Sequence, residues 1–390
     1  MANPAFSTRT KKLLDDLRES GTYKRLREIT GPMGPTVQLQ DAGEVVCLCS
    51  NNYLGLANHP EVVAAAHEGV EQYGAGTASV RFICGSFACH TRLEKTLAEF
   101  SATESALTYV SCWCANEALI ATAVGPDDVI LSDELNHASI IDGCRLAKPR
   151  KRAVFGHGDM ADLESKLQEY RDAETCWVLT DGVFSMEGAV AKLPELVELC
   201  RTYEAVLVVD DSHGVGVLGE TGRGTVEHFG LMGQVDIITG TLGKALGGGA
   251  GGYVAGPRAV TELLSQRSRP SLFSNALPAT VACSANRAVE ILMRDNSLME
   301  KLRGNIDRIR EGLIGLGFDC QDSPSAIIPI HIGDEADAIR KSERLLELGV
   351  WVVAFGYPVV PKGKARLRVQ VSAGLEKEHI DRVLDAFGKL

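Results

Sequence analysis

Ala205-Val206-Leu207-Val208-Val209-Asp210-Asp211-Ser212-His213-Gly214 is the stretch on which the fold turns. Its aliphatic run has no polar alternation, the pattern of a strand buried on both faces, and a turn rich in charge and hydroxyl follows at once. The same order recurs elsewhere in the chain. Residues 177–180 run into Asp181-Gly182-Val183-Phe184-Ser185, and residues 128–132 into Asp133-Glu134-Leu135-Asn136-His137-Ala138-Ser139. Ile237-Ile238 leads into Thr239-Gly240-Thr241-Leu242-Gly243-Lys244. Strands are expected at 106–110, 128–132, 153–156, 177–181, 205–210 and 235–239, with helices at 115–124, 138–146, 160–170 and 193–203. Such strands alternating with helices predict an α/β fold with a mainly parallel sheet covered on both faces. Beyond about residue 279 the rhythm becomes α+β. Helices are expected at 279–293, 298–316, 336–348 and from 376, and short strands at 327–332, 350–354 and 365–371. The expected organisation is a large domain over 51–285, a small α+β domain over 286–390, and an N-terminal segment, 1–50, that joins the small domain.

The chain has 390 residues, 45% of them apolar and 23% charged, which excludes a disordered chain, a collagen or a small disulfide scaffold. A formal charge of −11 argues against whole-surface attraction to nucleic acid or anionic lipid. Eleven cysteines form no Cys-x-x-Cys pair. The pairs Cys47/Cys49 and Cys112/Cys114 lack further ligands at metal spacing, so reduced thiols and no metal are expected. The polar N-terminus has no apolar core of a signal peptide, and no run reaches the roughly 18 apolar residues of a membrane span. A cytoplasmic protein without membrane or nucleic-acid partners is expected.

In open α/β sheets ligands gather at the carboxyl ends of the strands, where the ionisable and hydroxyl residues stand here. Two motifs there are decoys. Gly214-Val215-Gly216-Val217-Leu218-Gly219 matches the dinucleotide pattern, yet Asp-Ser-His separates it from its strand and no helix pattern follows. Gly243-Lys244 suggests a phosphate loop, but Ala245 stands where Ser or Thr must reach magnesium. What remains is a lysine among small residues, the kind that forms Schiff bases with carbonyl compounds such as pyridoxal phosphate (PLP). Asp210 suits the pyridine nitrogen, because a carboxylate favours its protonated form. His213 could hydrogen-bond the ring hydroxyl and His137 could stack on the ring. Ser111-Cys112-Trp113, before a helix, offers backbone N–H groups to a phosphate.

Thr241-Leu242-Gly243-Lys244-Ala245, Val209-Asp210-Asp211-Ser212-His213, Asn51-Asn52-Tyr53-Leu54-Gly55-Leu56 and Leu135-Asn136-His137-Ala138-Ser139 resemble the α-oxoamine synthases. These are fold-type I PLP enzymes that condense an amino acid with an acyl-CoA. The likeness runs from about Leu13 to the C-terminus. It implies that Lys244 carries PLP and moves the substrate's α-proton, that Asp210 meets the ring nitrogen and His213 the ring hydroxyl, and that His137 stacks on the ring. Cys112, Trp113, Ser185 and Thr241 would complete the cofactor site. Ser274 would reach the phosphate of the other subunit in a homodimer with shared active sites, and Asn51 and Arg368 would hold the substrate carboxylate. The segments 78–85, 266–270 and 357–363 resemble the branch that interconverts glycine and acetyl-CoA with 2-amino-3-oxobutanoate and CoA in threonine catabolism. The alternative is a member using a longer acyl-CoA with decarboxylation. Trp113 and Thr77 depart from the family pattern near the acyl pocket, which Phe82, Ile83 and Trp113 are expected to close.

Overall fold

The run 206–210 forms the middle strand of a seven-stranded sheet in the computed structural model, which describes residues 3–19, 22–357 and 359–390. Pro358, within the 357–363 segment, lies outside the described residues. The first half of the chain comprises α1 (Pro4–Glu19), β1 (Thr36–Leu39), β2 (Gly43–Cys47), α2 (Pro60–Tyr73), α3 (Ala88–Ser101), β3 (Ser105–Tyr109), α4 (Cys112–Ala123), β4 (Val129–Asp133), α5 (Ala138–Leu146), β5 (Lys151–Phe155), α6 (Met160–Glu169), β6 (Cys176–Asp181) and α7 (Leu193–Thr202). There follow β7 (Val206–Asp210), the single turn α8 (Thr225–His228), β8 (Ile237–Thr241), β9 (Gly252–Gly256), α9 (Arg258–Arg267), α10 (Arg269–Phe273), α11 (Ala279–Arg294) and α12 (Ser297–Gly315). The chain ends with β10 (Ile327–Gly333), α13 (Glu335–Glu347), β11 (Val350–Trp351), β12 (Val353–Phe355), β13 (Ala365–Gln370) and α14 (Lys377–Phe387).

The large sheet has the order β3-β9-β8-β7-β6-β4-β5, and the five strands from β8 to β5 are parallel. Burial explains the unbroken aliphatic runs. Leu207 and Val209 of β7 pack with Leu163, Leu167 and Leu196 of α6 and α7, whereas Val208 packs on the other face with Ala115, Leu119 and Leu264 of α4 and α9. A strand covered on both sides has no polar position until it ends, and its last residue, Asp210, emerges where the parallel strands stop.

Strand β9 was not foreseen. It is five residues long, bounded by Gly252 and Gly256, and glycine-flanked runs read as loops. It enters antiparallel between β3 and β8. The strand expected at 350–354 is two: β11 runs parallel to β2, and β12 runs antiparallel to β13 in a three-stranded sheet with β10. Through β2 and β11 the N-terminal segment therefore shares a sheet with the C-terminal part of the chain. Helix α4 starts three residues before its expected beginning, because the Ser111 side chain caps it by accepting from Cys114 N at 3.1 Å.

Gly252 lets β9 pass the first turn of α4. A Cβ at this position would lie 2.3 Å from Cys112 N, against backbone that cannot swing aside. Gly252→Ala is expected to lower stability by about 1–3 kcal/mol, read as a reduced urea midpoint with an unchanged slope.

Candidate active site

Lys244 lies in the loop joining β8 to β9. Thr241 shapes that loop: its Oγ1 donates to Gly251 O at 3.2 Å and accepts from Gly243 N at 3.1 Å. The Lys244 side chain is half-buried, and among the described residues nothing hydrogen-bonds or ion-pairs with its Nζ. Burial lowers its pKa, opposed by the charges of Asp210, Cys112 and Asp181. A less basic, unpaired amine is what nucleophilic attack on a carbonyl needs.

The two adjacent aspartates after β7 have different surroundings. Asp210 Oδ1 accepts from Ser212 N at 3.0 Å, and Oδ2 accepts from Asn116 Nδ2 at 2.6 Å. Asp211 is fully buried and accepts from Thr225 N at 2.7 Å and from the Thr225 hydroxyl. Any Cβ on Gly182, Gly214 or Gly224 would strike the Asp211 carboxyl, so Asp211 ties three segments of backbone together. Burial pushes its pKa up to about 7. Asp181, opposite Asp210 in the β6–β7 register, accepts from the His137 backbone N at 2.8 Å. Burial first, then the charge of Asp210, raises its pKa well above the usual range.

His213 is buried, and its Nδ1 lies 2.8 Å from Tyr53 Oη. Tyr53 Oη in turn accepts from Gln370 Nε2 at 3.2 Å and donates to Asn51 Oδ1 at 3.4 Å. Burial, followed by the charges of Lys244 and Arg368, holds His213 well below the ordinary histidine pKa, so it is neutral near pH 7. Gln370 also donates to Asn51 Oδ1, joining the segment after β2 to β13. His137 caps α5, with Nδ1 accepting from Ser139, and it meets the Trp113 ring edge-on at 6.0 Å.

Arg366 and Arg368 are both buried on β13, and only their partners tell them apart. Arg366 donates to Met186 O at 3.1 Å and Lys364 O at 3.3 Å and pairs with Glu187 at 3.4 Å. Arg368 lies 5.7 Å from the Phe355 ring centroid, and its Nε and Nη2 have no partner. Burial lowers its pKa. A buried guanidinium with open N–H groups is a ready receptor for a carboxylate.

Ser185 is half-buried in the turn after β6. Ser274 follows α10, and among the described residues its hydroxyl donates to its neighbour's carbonyl, Asn275 O, at 3.5 Å. Phe82 and Ile83 are 64% and 68% exposed on the single chain. Thr77 is buried and donates to Ala276 O at 3.3 Å, which makes it part of the local scaffold. A cleft of about 680 Å³ lined by Glu220, Glu227, His228, Arg303 and Asp307 contains none of these site residues. Sequence reasoning missed Asn116 and Gln370 and gave Tyr53 no role. A lone amide in the otherwise apolar buried face of α4 was the available signal for Asn116.

A free buried amine, a buried carboxylate, a neutral histidine, an orphaned arginine fork and a capped helix start fit PLP and an amino-acid carboxylate. The fold and site define a fold-type I PLP-dependent enzyme. Residues 43–387 match the aminotransferase class I and II family. A human mitochondrial 2-amino-3-ketobutyrate coenzyme A ligase is 46% identical over 96% of this chain and 89% of its own. An 8-amino-7-oxononanoate synthase of Thermoanaerobacter pseudethanolicus is 47% identical over 97% of this chain and 96% of its own. A high-resolution structure of SPT with its PLP internal aldimine superposes with a TM-score of 0.92 at 29% identity, covering 97% of this chain and 96% of that one. The chain belongs to the aminotransferase class I and II family and, within it, to the α-oxoamine synthases.

The two arginines should part company on mutation. Arg366→Ala leaves carbonyls and Glu187 without their donor and should cost on the order of 1–3 kcal/mol in urea unfolding. Arg368→Leu removes buried N–H groups that have no partner, so it should leave ligand-free stability unchanged or higher while weakening glycine binding. The reverse pattern would reassign the carboxylate site to Arg366.

Proposed function

We propose that the chain is a glycine C-acetyltransferase, interconverting glycine and acetyl-CoA with 2-amino-3-oxobutanoate and CoA, and serving threonine breakdown in the direction of cleavage. The observation that carries this reading is the 46% identity, over 96% of the chain, to a relative named for that ligase activity. Lys244 would hold PLP covalently, and the first turn of α4 at Cys112 and Trp113, with Ser185 and Thr241, would hold it non-covalently. When bound, PLP supplies an electron-withdrawing ring in conjugation with the amino acid's α-carbon.

The chain's own groups do the rest. Arg368 grips the glycine carboxylate through its open N–H groups, with Asn51 beside it, and so fixes which bond of the α-carbon faces Lys244. The freed Lys244 amine removes the α-proton and returns one in the cleavage direction, burial having lowered its basicity. Asp210 would hold a proton at the pyridine nitrogen, His213 would hydrogen-bond the ring hydroxyl, and His137 would cover one ring face. The α-carbon that gave up its proton bonds to the thioester carbonyl carbon, the C–S bond breaks, and the departing CoA thiolate takes a proton from solvent to become the thiol. The working form is a homodimer in which Ser274 and the exposed Phe82, Ile83 and Phe273 meet the other subunit. None of the described helices is long and apolar enough to cross a membrane, and the proposed setting is the cytoplasm.

A second reading is favoured by the 47% identity to an 8-amino-7-oxononanoate synthase: L-alanine and a longer acyl-CoA, with loss of carbon dioxide. Product masses from glycine with acetyl-CoA, and from L-alanine with pimeloyl-CoA, separate the two. Under the first reading kcat/KM is highest for acetyl-CoA, lower for propionyl-CoA, and falls steeply by octanoyl and palmitoyl, because each favourable methylene adds only about 1 kcal/mol whereas a clash excludes. A maximum at a long chain would overturn that reading and leave Lys244's role standing. Borohydride reduction and peptide mapping should place the cofactor on Lys244, and a label on another lysine would refute it.

A further inference from the structure

Asn116 is 2% exposed and sits one turn into α4, where its buried neighbours Ala115, Ala118, Leu119 and Ile120 are apolar. A buried primary amide needs partners for two N–H groups and a carbonyl, and each one left bare costs about 1–3 kcal/mol. Asn116 finds them on three separate elements. Its Nδ2 donates to Asp210 Oδ2 at the end of β7 at 2.6 Å, and to Ser139 Oγ in the first turn of α5 at 2.9 Å. Its Oδ1 accepts from Thr239 Oγ1 on β8 at 2.7 Å. The orientation of the amide is forced, because a carboxylate has no proton to give and the edge facing Asp210 must be the NH2.

The consequences run in two directions. Toward β7, Asn116 is the one strong donor to Asp210 Oδ2 among the described residues, the other neighbour being the Cys112 thiol at 3.7 Å. Toward α5, Ser139 Oγ accepts from Asn116 and gives its own proton to His137 Nδ1, 2.7 Å away, where Ser139 N also donates at 3.2 Å. Nδ1 is therefore an acceptor, and His137 carries its proton on Nε2.

We propose that Asn116 is a positioning residue for the cofactor, its one amide aiming the Asp210 carboxylate at the ring nitrogen and, through Ser139, setting the tautomer of the histidine on the ring face. This rests on the reading that Asp210 meets that nitrogen.

The test measures binding rather than turnover. Full-length apoprotein is titrated with PLP and with its 1-deaza analogue, in which C–H replaces the ring nitrogen, for the wild type, Asn116→Leu and Asp210→Asn. Asn116→Leu should weaken PLP by about tenfold or more and the deaza analogue by less than about threefold, following the pattern of Asp210→Asn. A residue that merely braces α4 would weaken both ligands equally, and that result, or no weakening of either, overturns the proposal. If Asn116→Leu does not fold, Asn116→Ser is read by the same two outcomes. Should Asp210→Asn itself weaken both ligands alike, the reading of Asp210 falls and the proposal with it. A discriminating Asp210→Asn beside an indifferent Asn116→Leu overturns the proposal alone.

Discussion

A lysine amine and an aspartate carboxylate stand close enough in this protein to feel each other's charge without pairing. Asp210 accepts from Asn116 and Ser212, one donor on each oxygen, and Lys244 keeps its Nζ free among the described residues. Withdrawing an amine from water without a direct partner disfavours its charged form, and burial lowers the Lys244 pKa. Much of the surrounding structure serves to keep the two groups apart and in place. The parallel strands deliver Asp181, Asp210 and Thr241 to one edge of the sheet, and Gly252 lets β9 bring the start of α4 against them. Asp211, caged by glycines, stiffens the turn that carries His213.

The second half of the site comes from elsewhere in the fold. Asn51 and Tyr53 follow β2, whereas Arg368 and Gln370 lie on β13, and hydrogen bonds through Gln370 lock these segments together. Tyr53 then reaches His213 on the large sheet's edge. One chain of polar contacts thus runs from Asn51 through Gln370 and Tyr53 to His213. Arg368 Nε and Nη2, on the same strand as Gln370, are left without partners.

How far the sequence could be read followed from what each residue's neighbours contribute. The doubly covered strands are legible because burial on both faces leaves an unbroken aliphatic run, and the chemistry-bearing turns announce themselves where those runs stop. Strand β9 hid because its pairing is supplied by β3 and β8 and its own sequence is glycine-bounded. Asp210 and Asp211 are indistinguishable in sequence, as are Arg366 and Arg368. Only the partners show that one of each pair is spent on the scaffold. Gln370 meets Tyr53 across most of the chain, and no local pattern could announce that contact.

The claim at the centre is that the unpaired Lys244 amine is the base that takes the α-proton of a bound amino acid. Deuterium exchange tests it without any acyl donor. The PLP-loaded protein is incubated with glycine in D2O, and the α-position is followed by proton NMR. The wild type should exchange the α-hydrogen, and Lys244→Ala, still holding PLP and glycine, should lose the exchange almost entirely. Undiminished exchange in Lys244→Ala, or none in the PLP-loaded wild type, would contradict the account.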